Sequence, residues 1–333
     1  MTKKAVLVGI HYHSFHPHHR LGSAYQDVDD IKAFLIGERN PASLDDIADS
    51  LTDTLGFDEE NITELKDNVG VHDSTYPSKR HLTHALHGLV RDAEAGDHLV
   101  FHFSGHGSQK PDLNGDEDDG MDEAIWPADV KPNHDLSDAD GVIIDDWIKA
   151  ELVDKVPEGA TLTIFLDCCH SGTGADLKYS YVDGEPVPHA KHKVGMKKLT
   201  KDSNNDEAIV VSWAACQDPH LTISFSESGG YFVKAFIQAY GKSTLTCSLA
   251  HRLNIIAEEE PNATHQELLH RMKHDMLRTA QGHLEGRRDS MKRKHFQKLQ
   301  NWWEDAHSEP VLGILNDEEQ VLETPVAETF GVE

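Results

Sequence analysis

Cysteine is scarce in this 333-residue chain: Cys168, Cys169, Cys216 and Cys247 are all there is. Four at such irregular spacing make no disulfide framework, and the lack of any C-x-x-C pair argues against structural zinc. No run of 18 apolar residues occurs, so no membrane span is expected. The opening MTKKAVLVGI has two lysines but only a short β-like stretch and no small-residue cleavage site, so a signal peptide is not expected either. These absences point to a reducing compartment, cytoplasmic or also nuclear. Basic residues are outnumbered as well, 31 Lys and Arg against 58 Asp and Glu, for a formal net charge of −27. That balance disfavours nucleic acid and favours basic peptides or cations, although most of the carboxylates simply keep the chain soluble.

Histidine, by contrast, is abundant, with 24 residues and a cluster HYHSFHPHH from His11 to His19. The cluster lies in a Pro-containing stretch without clear ligand spacing, so a metal role there competes with a plain loop. Strand-like and helix-like runs alternate along the chain. AVLVGI (5–10), NITELKDN (61–68), HLVFHFSGHG (98–107), TLTIFLD (161–167), AIVVSWAAC (208–216) and EPVLGIL (309–315) read as strands or strand-plus-turn. DVDDIKAFLI (27–36), 78–96 with Ser78 as cap and Gly96 as stop, 143–156, 229–241 and most of 247–305 read as helices. This order predicts a single α/β domain with a mostly parallel central sheet flanked by helices. Residues 177–206 read as a polar loop with Pro and Gly, carrying Lys191, Lys193, Lys197, Lys198 and Lys201; a loop of this length signals function or disorder.

Parallel α/β sheets collect their chemistry at the carboxyl ends of strands. Two strands here end in reactive residues: SGHG presents His106, and DCCHSG presents Cys168, Cys169 and His170. A cysteine nucleophile needs a base from a neighbouring element, and the nearby glycines suit close substrate approach and amide donors for an oxyanion. Side chains alternate along a strand, so Asp167 and Cys169 project together while Cys168 faces the core as a small hydrophobe. The same rule pairs Ser104 with His106. His170 is too close in sequence to Cys169 to transfer its proton well.

DLNGDEDDGMDE (112–123) has oxygen ligands at calcium-loop spacing, but Glu117 stands where such a loop needs glycine and no helices are expected on either side. An EF-hand is therefore rejected.

SGHG followed 63 residues later by the DCCHSG cysteine resembles the metacaspases, caspase-related cysteine peptidases. LVGIHY, LGSAYQDVDDIKAFL, GDEDDGMDEAIWPAD, IIDDWI and EPVLGIL carry the resemblance over nearly the whole chain. It implies a caspase-like (caspase–haemoglobinase) fold, Cys169 as nucleophile, His106 as base, and Asp27, Ser104 and Asp167 as a pocket for substrate. Two carboxylates in a narrow pocket favour Arg or Lys before the cut bond; the competing reading of Asp27 is a helix N-cap. Family members commonly have cysteine where Ala24 stands, which alters the pocket wall and not its charge. The resemblance further implies a Ca²⁺ site of Asp122, Asp145, Asp146 and Asp176, against the plain reading of these as solvated surface or helix-start residues.

It also divides the chain into a large-subunit-like part (1–176), a linker loop (177–206) whose lysines are candidate self-cleavage sites, and a small-subunit-like part (207–333). The expected partners are protein or peptide substrates, with no nucleic acid and no membrane, and the expected state is a monomer. Recruitment through an N-terminal extension is not expected, since the first strand begins near residue 5. Two alternatives remain at this point: a paracaspase-like, calcium-independent peptidase, and a non-catalytic module on the same fold.

Overall fold

Strand β1 (Lys3–Gly9) sends Ala5 and Leu7 to one side and Val6 and Val8 to the other. Both sets are buried because a layer of helices covers each face of the sheet. The computed structural model that places them describes residues 1–37, 55–115, 120–133, 139–169, 171, 174–177, 179–182, 185–186, 208–215, 230–240, 264–288, 311–314 and 330.

The remaining elements follow in chain order: α1 (Ala24–Ile36), β2 (Ile62–Lys66), α2 (Lys79–Arg91), β3 (His98–Ser104), β4 (Gly107–Pro111) and β5 (Met121–Ile125). Then come β6 (Lys131–Pro132), β7 (Ala139–Asp140), β8 (Ile143–Ile144), α3 (Asp145–Glu151), β9 (Thr161–Asp167), β10 (Tyr179–Val182) and β11 (Glu185–Pro186). β12 (Ile209–Ala214), the helical residues 231–240 (α4), α5 (His265–Arg288) and β13 (Val311–Ile314) complete the described chain.

Among the described residues the main sheet has the order β11-β10-β13-β12-β9-β3-β1-β2. Strands β2, β1, β3, β9 and β12 pair in parallel, while β13, β10 and β11 add on antiparallel. The expected mostly parallel sheet between helices is therefore present at its centre. One face packs on α2 and α3 through Leu82, Leu86, Leu89 and Ile148. The other packs on α1, α4 and α5 through Val28, Ile31, Phe236, Leu268 and Met272. Ser78 caps α2 as anticipated, its side chain accepting the His81 N–H at 3.2 Å.

Two expectations need correction. The 177–206 stretch is not all loop: Tyr179–Val182 and Glu185–Pro186 are strands, and β10 pairs along β13. The β-prone YSYV segment meets an open strand edge there, and that outweighs the polar composition around it. The helix expected over 143–156 is confined to α3 and a 3₁₀ turn at Val153–Lys155, because Ile143–Ile144 pairs with β5. Predicted helix in 247–263 and 289–305 lies outside the described residues.

His102 on β3 is fully buried, and neither ring nitrogen has a hydrogen-bond partner. Burial drives its pKa down to about 3. The unfolded chain takes up this proton near pH 6.5, so the native state loses stability as pH falls from there towards 3. At pH 5 that loss amounts to about 2 kcal/mol. Urea unfolding should show His102→Leu losing less stability than wild type between pH 7 and pH 5, by roughly that amount. An unchanged difference between the two pH values would contradict this account.

Candidate active site

β3 and β9 pair in parallel with Ser104 opposite Asp167, the last residue of each strand. The two chains therefore leave the sheet level and side by side, one into Gly105–His106–Gly107 and the other into Cys168–Cys169. They touch at Gly107, where a methyl group would lie 2.2 Å from the Cys169 carbonyl oxygen and 3.3 Å from Cys168 Sγ. Only glycine admits this approach. Because β9 ends at Asp167, strand alternation does not govern the cysteines themselves. Cys168 nonetheless enters the α2/α3 core at 3% exposure, and Cys169 is half-buried.

The His106 ring is oriented from the histidine-rich loop. Its Nε2 lies 2.8 Å from the carbonyl oxygen of His19. A carbonyl only accepts, so Nε2 carries the proton and Nδ1 is left with the free lone pair. Burial lowers the His106 pKa, the His19 carbonyl pulls it partly back, and the imidazole is held neutral as a base requires. The loop is tied down by Asp67, which accepts from the backbone N–H groups of His11 and His13 at 2.7 and 3.1 Å. The Tyr25 hydroxyl donates to the same carboxylate at 2.7 Å. Among the described residues no three His, Cys, Asp or Glu side chains form a group that could hold a metal, the histidines of this loop included.

Asp27, Ser104 and Asp167 come together on the α1 face. Asp27 is not the helix cap: Ser23 holds that position, and Asp27 in the first turn points down at the sheet. Ser104 Oγ donates to Asp27 Oδ2 at 2.8 Å, and the Gly230 amide donates to Asp27 Oδ1. A methyl on Gly230 would stand 2.4 Å from Asp167 Oδ2 and 3.1 Å from Asp27 Oδ1, so both carboxylates converge on that glycine. Asp27 is 0% exposed and Asp167 7%, and Asp167 Oδ2 has no hydrogen-bond partner among the described residues. Burial raises the Asp27 pKa to about 6, offset in part by Gly230 and Ser104; burial and then Asp27 raise Asp167 well above the carboxylate range. Such a pair attracts a cation that brings its own donors.

The four carboxylates assigned to calcium are less gathered. Asp122 and Asp145 are buried; Asp145 accepts from the Glu123 N–H at 3.0 Å and the Asp146 N–H at 2.8 Å. Asp146 accepts from Asn114 Nδ2 at 2.9 and 3.0 Å. Pairing of β5 with β8 brings Asp122 near Asp145 and Asp146, and Asp176 has a positive φ of 44°. No three of them converge as a preformed metal cluster. The 112–120 stretch joins antiparallel strands β4 and β5, which agrees with rejecting an EF-hand. His170, Gly172 and Lys191 to Lys201 lie outside the described residues.

Sequence reasoning missed Tyr12, the His19 carbonyl, Gly107 as contact point and Gly230. Tyr12 was within reach, since it continues the buried period-two series Val6, Val8, Ile10. Gly230 comes from far along the chain and carried no local signal.

A thiol and an imidazole at adjoining strand ends of a parallel sheet, beside a buried acidic pair, are the groups that a caspase-like cysteine peptidase requires. Residues 3–178 match the family model for the metacaspase, peptidase C14 domain. Metacaspase-1A of Aspergillus oryzae is 36% identical, over 54% of this chain and 37% of its own length. Metacaspase-1 of Cryptococcus neoformans is 30% identical, over 77% of this chain and 59% of its own. The chain belongs to the metacaspase family, and it spans from over a third to about three fifths of the length of these relatives. A crystal structure of a Geobacter sulfurreducens protein shares the fold, with TM-score 0.50 and 17% identity over 98% of both chains. Among the described residues no helix is long and apolar enough to cross a membrane.

The Gly107 contact gives a direct test. Gly107→Ala must push the two strand ends apart, at a cost of about 1–3 kcal/mol. Urea unfolding should register this, together with a changed rate of Cys169 alkylation; wild-type values for both would refute the contact.

Proposed function

We propose that the chain is a cysteine endopeptidase that cuts peptide bonds after arginine or lysine. The observation that carries the reading is the buried Asp27–Asp167 pair, with an Asp167 oxygen that has no hydrogen-bond partner among the described residues, next to the cysteine bend. A guanidinium or ammonium group supplies both the missing charge and the missing donor. The acidic excess of the chain draws basic peptides towards it.

In this mechanism His106 Nδ1 takes the Cys169 proton, and the thiolate sulfur attacks the carbonyl carbon of the bound peptide. The C–N bond then breaks as His106 returns the proton to the leaving amine, leaving an acyl-enzyme. Water attacks the thioester carbon while His106 accepts its proton. The C–S bond breaks, and the acid product and free thiol are released. Ser104 keeps Asp27 turned towards the substrate cation.

Calcium enters as a proposal from the family resemblance. Asp122, Asp145, Asp146 and Asp176 offer the hard oxygen donors Ca²⁺ takes, although among the described residues no three such side chains form a preformed metal group. The second reading, a peptidase with no calcium requirement, rests on the lack of any group of three His, Cys, Asp or Glu side chains fit to hold a metal among the described residues. Self-cleavage at the Lys191–Lys201 cluster, a division into 1–176 and 207–333 around the linker, a monomeric state and a cytoplasmic or nuclear location complete the proposal.

The test is an arginine-terminated peptide amide with calcium, with chelator, and with Cys169→Ala. Turnover with calcium and none in Cys169→Ala is expected; equal turnover in chelator selects the second reading, and no turnover of wild type in either condition defeats both. A pH profile probes the pocket. Since Asp27 is uncharged below about pH 6, kcat/KM for the cationic substrate should fall as pH drops through 6. Asp167→Asn should raise KM roughly tenfold, a loss of about 1.4 kcal/mol of binding.

A further inference from the structure

Among the described residues, two that are not glycine have positive φ: Asp176 and Tyr12, the latter at 55°. A bulky residue holds this sparsely populated conformation only where its surroundings demand it. For Tyr12 the demand is visible. Leaving β1 in the left-handed conformation, the chain carries a fully buried ring in under the His106 turn, with centroids 4.5 Å from His106 and 4.9 Å from Phe15.

The Tyr12 hydroxyl makes two hydrogen bonds there. It accepts from the His106 backbone N–H at 2.8 Å and donates to the Trp126 carbonyl at 2.7 Å. The Trp126 N–H donates back to the His106 carbonyl at 3.0 Å, closing a ring of three bonds around the histidine's main chain. Gly105 leaves room for it, since a methyl there would lie 2.8 Å from the hydroxyl oxygen. The direction of each bond is fixed, because an amide N–H cannot accept and a carbonyl cannot donate.

We propose that Tyr12 is a positioning residue for His106: it straps the Gly105–Gly107 turn to the Trp126 segment and so sets where the imidazole stands relative to Cys169. The proposal rests on the reading of Cys169 and His106 as nucleophile and base. Tyr12 itself moves no proton. Burial raises its pKa well above that of a free phenol, and Cys168 and Cys169, whose charges would reach it, raise it further. Its single proton is already committed to Trp126. The contact acts on backbone, so it governs the place of the histidine and not its chemistry. His106 is thereby held from two sides, its main chain by Tyr12 and its ring by the His19 carbonyl.

Tyr12→Phe keeps the ring and removes both hydroxyl bonds. Tyr76→Phe is the matched control: that hydroxyl is also buried in the same core and donates to the Ala128 carbonyl at 3.3 Å, and the side chain has no part in the site described. For both variants we would measure kcat and KM on an arginine peptide amide, the rate of Cys169 alkylation by iodoacetamide at pH 7, and the urea midpoint. Tyr12→Phe should lower kcat roughly 10- to 100-fold with KM within about twofold, and slow alkylation. Tyr76→Phe should shift only the urea midpoint. Gly105→Ala crowds the same hydroxyl and serves as a second route to the kcat-specific loss if Tyr12→Phe does not fold. Wild-type kcat and alkylation in the Tyr12 variant, or an equal kcat loss in the Tyr76 variant, overturns the proposal. Cys169→Ala runs alongside: should it retain turnover, the peptidase reading fails, and the alkylation rates alone decide the strap.

Discussion

The in-register parallel pairing of β3 with β9 is the constraint on which the remainder of the site depends. It brings Ser104 and Asp167 level at the end of the sheet, so the histidine turn and the cysteine bend start from adjacent points. A one-residue slip would exchange the faces of every side chain on one strand and separate Ser104 from Asp167. Register is held along the whole strand by apolar residues facing both helix layers, Leu162, Ile164 and Leu166 on one side and Phe165 on the other. The energy that positions the site is thus hydrophobic burial well below it.

The two faces of the sheet divide the work. Asp27, Ser104 and Asp167 gather under α1, where burial of unpartnered carboxylate oxygen makes the pocket hungry for positive charge. Cys168, one residue further on, turns into the opposite core and packs as a hydrophobe. Adjacent cysteines with the same side chain are therefore given different environments by the bend between them. Ser104 and Asp167 are each the last residue of a strand, and the thiol bend begins one residue further on.

Much of this was legible in the chain. The short apolar runs pointed to the central strands, and SGHG and DCCHSG stood at two strand ends that proved to be neighbours. Asp27, Ser104 and Asp167, named from the family resemblance, lie together on the α1 face. What was not legible depends on chain path. Gly230 reaches Asp27 across 203 residues, and nothing in its own neighbourhood announces that contact. YSYV was read as loop because polar and turn-forming residues surround it, whereas pairing with β13 decides its state. The strand parity applied to Cys168 and Cys169 placed Cys168 in the core correctly, yet the strand stops at Asp167 and the bend is what turns it. The calcium ligands were assigned from resemblance alone; of these, β5–β8 pairing brings Asp122 near Asp145 and Asp146.

The acceptor that orients His106 is a main-chain oxygen of a histidine, and this separates the path of the loop from its composition. No side chain at position 19 is needed to supply that oxygen. The loop is closed by the Leu21 N–H donating to the His11 carbonyl at 3.2 Å and anchored through the amides of residues 11 and 13. Substitution at position 19 can thus vary charge and bulk while an insertion or deletion would move the oxygen; Phe15, packed on Tyr12, has no such freedom. Selection acting on this segment should be felt in its length more than in its letters.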